Sequence, residues 1–392
     1  MFVDETAEQR TLRSELRAYF AKLMTPEVRA QTRDRESGPV FRHVIRQMGR
    51  DGWLGIGWPK AYGGQGRTAT EQLIFFEEAE LAGAPLPFVT LNTVGPALMA
   101  LGSEAHKQQF LPGILRGEVH FAIGYTEPDA GTDLAALKTT AVRDGDDYVI
   151  NGTKCFTSGA EGADYIWLAT RTDPDAPKHK GLTMFIVDTT LPGFSVSPIH
   201  TVGGFRTNMS YYDNVRVPAS MIVGTLHGGW RLITAQLNHE RIGLAAFVGV
   251  RARALYNETL AWARATLAED GRPLLDQAWV QAALAEAYCQ IKVLRVMNAR
   301  IAWELEQGRL DPAQASAAKV YGTESVIHVY RLLLDVLGPV GAIPFGSPGA
   351  LFDGGVERQY RACQIDTFGG GVNEIQREIV ATFGLGMPRV QR

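Results

Sequence analysis

Apolar positions along the chain change their period twice. From about residue 4 to 118 they recur at helical spacing, as in Leu12, Leu16, Tyr19, Phe20 and Leu23, and again through Gln72 to Ala82 and Ala97 to Leu101. The stretch Trp53 to Arg67 interrupts this with Gly55, Gly57, Pro59, Gly63, Gly64 and Gly66, and reads as a loop. Near His120 the spacing shortens. Turns at Asp144-Gly145-Asp146-Asp147 and Asn151-Gly152 flank Tyr148-Val149-Ile150. The β-rich runs Tyr165 to Ala169, Leu182 to Val187 and Phe194 to Val196 follow, and Val215-Arg216-Val217-Pro218 closes the block. From Gly228 the helical period returns. Val280, Leu284, Ala287, Ile291 and Leu294 form one stripe, Ser316 to Leu337 forms another, and a Gly/Pro-rich connection spans Gly338 to Gly349. The pattern predicts an α+β fold of three blocks: an N-terminal helical domain over 1–119, a central antiparallel β domain over 120–225 and a C-terminal helical bundle over 226–392.

Charge and cysteine usage narrow the chemistry. Lys plus Arg is 39 against 42 Asp plus Glu, a net charge of −3, so the basic excess of a nucleic-acid-binding surface is missing. Cys155, Cys289 and Cys363 lie far apart, which disfavours a disulfide framework or zinc knuckle and suits a reducing cytoplasm. No cluster has metal-ligand spacing. Met1 to Glu5 carries acids where a signal peptide needs bases. The longest clean apolar run, Ile242 to Val250, is far short of the roughly 20 residues that span a bilayer. A cytoplasmic chain without a membrane span is the expectation.

Three segments could carry chemistry. Tyr125-Thr126-Glu127-Pro128-Asp129-Ala130-Gly131-Thr132-Asp133 is a polar turn, and taken alone it also fits an ordinary loop. Asn151 to Ser158 is a hairpin exit followed by hydroxyls, which also fits a solvated strand end. Gly369-Gly370-Gly371 precedes Val372-Asn373-Glu374-Ile375-Gln376-Arg377, and consecutive glycines leave backbone amides unshielded for an oxyanion or phosphate. Gly63-Gly64-Gln65-Gly66 lacks the strand-then-helix context of a dinucleotide fingerprint.

In this order and at these separations, together with Trp58-Pro59 and Tyr62-Gly63-Gly64, the segments resemble the acyl-CoA dehydrogenase family over essentially the whole chain. Finer texture in Met48 to Trp53, Gln236 to Arg241 and Thr367 to Arg377 is similar to the actinobacterial subunits acting on steroid side chains, which form α2β2 heterotetramers. The resemblance implies FAD as cofactor and an acyl-CoA substrate. It also implies a reaction in which a carboxylate takes the α proton while hydride leaves the β carbon for flavin N5. Electron-transfer flavoprotein is the implied acceptor.

Site residues carry over position by position. Most of the family places its base as a Glu at the position of Gly370, which here has no side chain, although its backbone N–H could still serve the oxyanion. Some members place the base on the helix after the β domain, at the position of Glu240; without the resemblance, Glu240 beside Arg241 reads as a surface carboxylate. The resemblance further assigns Arg241 to substrate, and Tyr125, Thr126, Gly131 and Thr132 to the flavin and pyrophosphate. Phe156 matches a stacking Trp, Ser158 a Thr that addresses N5, and Glu374 a polar contact to the cofactor. His239 is read as structural.

Two elements that a neighbouring subunit supplies in homotetrameric members are altered. The Arg and Phe of Arg-x-x-Phe-Gly are Leu267 and Asp270, and the Gln of Gln-x-x-Gly-Gly is Asp335, with Pro339 in place of the last Gly. An acid is the wrong sign beside a pyrophosphate. A second, related subunit is therefore expected to provide them. A flavin monooxygenase of the same fold and a non-catalytic partner subunit are the alternatives.

Overall fold

The computed structural model describes residues 4–33, 37–309 and 311–388, and for 237–246 and 248 the backbone alone. Six helices come first: α1 (Ala7–Leu23), α2 (Pro26–Thr32), α3 (Pro39–Arg50), α4 (Ala69–Ala82), α5 (Gly95–Leu101) and α6 (Glu104–Leu115). Capping boxes start the two that pack together. Thr6 and Gln9 exchange side-chain and backbone bonds at α1, and Thr68 and Glu71 do the same at α4, satisfying amides that the first turn leaves open. Between them lies a Leu12, Leu16, Phe20 and Phe75 core, and the buried Glu78 is held by Arg13 and Arg17.

The strands are β1 (Phe121–Gly124), β2 (Thr140–Asp144), β3 (Asp147–Lys154), β4 (Tyr165–Arg171), β5 (Leu182–Asp188), β6 (Phe194–His200), β7 (Arg206–Pro218) and β8 (Ile222–Val223). They form one sheet in the order β6-β7-β3-β2-β4-β5-β8. Most neighbours are antiparallel, as the short turn spacing predicts. The exceptions meet at β4, which takes β1 in parallel along Phe121↔Tyr165 to Gly124↔Leu168 and touches β2 in parallel at Thr140↔Arg171. Central β4 and β5 are buried along nearly their whole length.

Five helices complete the chain: α7 (Gly229–Ala265), α8 (Ala278–Glu306), α9 (Pro312–Leu337), α10 (Gly355–Ala362) and α11 (Asn373–Ile379). The stripe Val280, Leu284, Ala287, Ile291 and Leu294 faces inward on α8, against α7 and α9. Gly249 permits a close approach of α7 to α8, since a Cβ there would sit 2.9 Å from Leu294 Cδ2. Residues 312–342 are long and apolar enough by composition to cross a bilayer, a property that the run Ile242 to Val250 did not announce. In this fold α9 is the central helix of the bundle, packed against α7, α8, α10 and α11.

Candidate active site

The Tyr125–Thr132 segment leaves the end of β1 and is fastened from beneath. Lys154, the last residue of β3, is fully buried and donates to the Tyr125 carbonyl at 3.0 Å and to Glu127 Oε1 at 2.8 Å. Glu127 also accepts from the backbone N–H groups of Lys138 (2.6 Å) and Thr139 (2.8 Å) and from the Thr139 hydroxyl (2.5 Å). A buried carboxylate with that many donors is favoured as the anion. Its pKa is lowered although burial opposes this, with Lys154 the chief lowering influence. Burial in turn brings Lys154 down to about 8 despite Glu127. The loop's exposed tip, Gly131 to Asp133, is thus carried on a rigid base.

The 154–158 segment lies alongside, joined by Cys155 N–H donating to the Thr126 carbonyl at 2.8 Å. Phe156 has φ +58°, a left-handed conformation rare for an aromatic residue, and its side chain is 59% exposed. An exposed, backbone-strained Phe is not core packing. The Ser158 hydroxyl exchanges a hydrogen bond with Thr207 at 3.0 Å. Tyr125 differs from its neighbours: its side chain is buried, and its hydroxyl donates to Gln236 Oε1 at 2.6 Å. Trp167 of β4 donates to the same oxygen at 2.8 Å. Gln236 lies on α7, so this cluster ties the sheet to the turn preceding Glu240. Glu240, Arg241 and His239 are in α7 by backbone, and their side chains lie outside the described residues.

The glycine segment is built separately, on the bundle. Gly370 and Gly371 have φ +68° and +104°, conformations that glycine adopts without a Cβ penalty. Lys319 of α9, fully buried, donates to the carbonyls of Thr367 (3.1 Å) and Gly371 (2.7 Å) and to Asn373 Oδ1 (2.7 Å). Asn373 in turn donates to Thr323 and Glu324. The half-buried Gly370 amide has no acceptor among the described residues. Glu374 is exposed in the first turn of α11. Asp366, just before this segment, has its carboxyl pushed up to about 6 by burial, against the pull of Arg251 and Lys319. Among the described residues no hydrogen bond joins 367–374 to the Tyr125–Ser158 cluster; α7 meets the cluster at Gln236, and its Arg251 acts on Asp366.

The altered elements are at the surface. Leu267 is exposed, and Asp270 is taken up by Gln277 and by Arg272 of its own turn, which hold its carboxyl at about 2. Asp335 is exposed on the last turns of α9. No group of three His, Cys, Asp or Glu side chains suited to a metal ion occurs among the described residues.

Comparison with known proteins accounts for this architecture. Models of the acyl-CoA dehydrogenase N-terminal, middle and C-terminal domains match residues 6–118, 122–215 and 227–385. Acyl-CoA dehydrogenases FadE26 and FadE29 of Mycobacterium tuberculosis are 50% and 49% identical over the full length of both chains. Among solved structures, the Tcur3481-Tcur3483 steroid ACAD is 53% identical with a TM-score of 0.94. The ChsE4-ChsE5 complex from M. tuberculosis is 52% identical, also at 0.94, with both chains covered completely in each comparison. With all three domains matched and relatives this close, the chain belongs to the acyl-CoA dehydrogenase family, an oxidoreductase family.

Proposed function

We propose that this chain is the catalytic subunit of a heteromeric, FAD-dependent acyl-CoA dehydrogenase that places an α,β double bond in a bulky, steroid side-chain acyl-CoA. The observation that carries this is the docking of α7 on the sheet. Gln236 fastens the helix to Tyr125 and Trp167, and Glu240 follows one turn later. The steroid substrate is supported by 53% identity to a protein described as a steroid ACAD.

The residues present fit a flavin. Phe156 offers an exposed aromatic face, Ser158 a hydroxyl, and Thr126, Gly131 and Thr132 a half-buried to exposed loop on a fixed base. Glu374 is exposed for a further contact. FAD, when bound, supplies the hydride acceptor at N5. Glu240 takes the α proton. The Gly370 N–H, which has no acceptor among the described residues, donates to the thioester oxygen as negative charge develops there. Arg241 addresses the substrate. Electron-transfer flavoprotein is the proposed oxidant of the reduced enzyme.

A related second subunit would supply the cation and amide that Leu267 and Asp335 do not. The two solved relatives at 52–53% identity are each described as a pair of chains, which supports an α2β2 assembly. The deciding test is the FAD-to-protein ratio of this chain purified alone and after co-expression with a neighbouring acyl-CoA dehydrogenase-like chain. Little flavin alone and one FAD per pair is expected; full occupancy alone overturns the heteromer. Oxygen consumption with reduced flavin, without enoyl-CoA formation, overturns the dehydrogenase in favour of a monooxygenase.

A further inference from the structure

We propose that Lys319 is a positioning residue that holds the Gly370 amide in its donor orientation; this rests on the oxyanion role proposed above. Lys319 sits about two turns into α9, and its ammonium reaches across to the glycine segment rather than to solvent. The two carbonyls that it grips, Thr367 and Gly371, stand on either side of Gly370. Between them the backbone has little else to fix it. Phe368 and Gly369 donate to the Ile365 carbonyl, and two residues at positive φ follow. Glycines in such a run would otherwise sample several conformations.

Burying an ammonium is costly; Asp366 and Glu324 feel its charge, yet the hydrogen bonds it makes go to carbonyl and amide oxygens. Methionine would fill the same space as core at no such cost. What lysine adds is three directed donors, two of them on carbonyls that bracket the amide, each with one peptide plane between it and the amide, and one on Asn373, which starts the following helix. Preorganised donors act in catalysis only if they stay aimed during the reaction.

The test compares Lys319→Met with wild type in the co-expressed, FAD-loaded pair. A fall in kcat of about 10–100-fold is expected with KM changed by less than about threefold, the signature of a donor misaimed in the transition state. Hydrogen exchange over 366–373 should speed by about tenfold while α9 keeps its rates, with one FAD per pair retained. A kcat within about twofold of wild type, unchanged exchange, or a kcat loss that merely tracks flavin loss would overturn the proposal. Should Lys319→Met not assemble, Asn373→Ala removes one of the three acceptors, and faster exchange over 366–373 with a kcat reduced by about 3–10-fold is expected. No change in either sinks the idea. If the wild-type pair turns over no acyl-CoA, the proposed function fails, and exchange over 366–373 in Lys319→Met still decides whether Lys319 holds the segment.

Discussion

The hydroxyl of Tyr125 and the indole N–H of Trp167 converge on one atom, Oε1 of Gln236, which accepts from them at 2.6 and 2.8 Å. A sheet residue and a loop residue thereby grip α7 just before Glu240. Tyr125→Phe removes one donor and leaves the other in place, so a stability loss of about 1 kcal/mol is expected. Gln236→Leu takes the shared acceptor from both donors, leaving the Trp167 N–H its longer bond to the Tyr125 oxygen at 3.2 Å, and should cost more, about 2–3 kcal/mol. Thermal melts of the holoenzyme rank the two variants. Equal melting temperatures would mean that the shared oxygen does not matter.

Lys154→Met leaves Glu127 buried without its cation. Removing one member of such a pair is expected to cost about 3–5 kcal/mol. Adding Glu127→Gln should recover most of that loss, because the stranded charge then disappears. Denaturant unfolding measures both, and flavin content should fall in the single variant because Tyr125 to Thr132 loses its base.

Asp366 has the opposite character. Its carboxyl titrates near 6 in the folded chain against 3.8 for a free aspartate, raised by burial and opposed by Arg251 and Lys319. Between those values the folded protein keeps the proton and the unfolded chain releases it. The stabilising contribution is therefore whole below about 4 and lost as pH rises through about 6. Asp366→Asn should raise the melting temperature at pH 8 and leave it unchanged at pH 4. A uniform shift at both would contradict burial as the cause.

Glu240→Gln should lower kcat by about 10²–10⁴-fold with flavin absorbance intact, the range for losing a general base. Gly370→Ala should cost about 1–2 kcal/mol, because at its φ of +68° a Cβ carries a steric penalty that glycine avoids, and should reduce kcat while preserving Glu240. Stopped-flow reduction of the flavin by acyl-CoA separates the two effects from product release.

Much of this was legible in the chain's periodicity. The α8 stripe reads directly from 280 to 294, and the strand runs from Tyr165 to Val196 fall where turn residues place them. Parallel pairing of β1 was hidden, since alternation gives no direction. The two buried lysines were harder to find, because a lysine ordinarily reads as surface. For Lys319 a signal existed. Ser316, Lys319, Thr323, Val326, Tyr330, Leu333 and Leu337 follow helical spacing, and all seven are buried. A cation on the inward stripe of a helix needs partners, and the polar start of that stripe was the place to look. Lys154 had only strand alternation to mark it, and its partner Glu127 lies 27 residues away. Such a pair is invisible until the sheet closes.

Continuous over 37 residues, α7 is a strut about 55 Å long. The sheet clamps it at Gln236, and the helical layers clamp it at Gly249 against Leu294 and at Arg251 against Glu80. Glu240 stands about 6 Å along the axis from the first clamp and about 16 Å from Arg251. If the sheet rocks against the bundle, the Glu240 turn therefore rides with the sheet. On the roles proposed for Glu240 and Gly370, the spacing that would change is the gap between them, so its closure would be a mechanical property of a single rod.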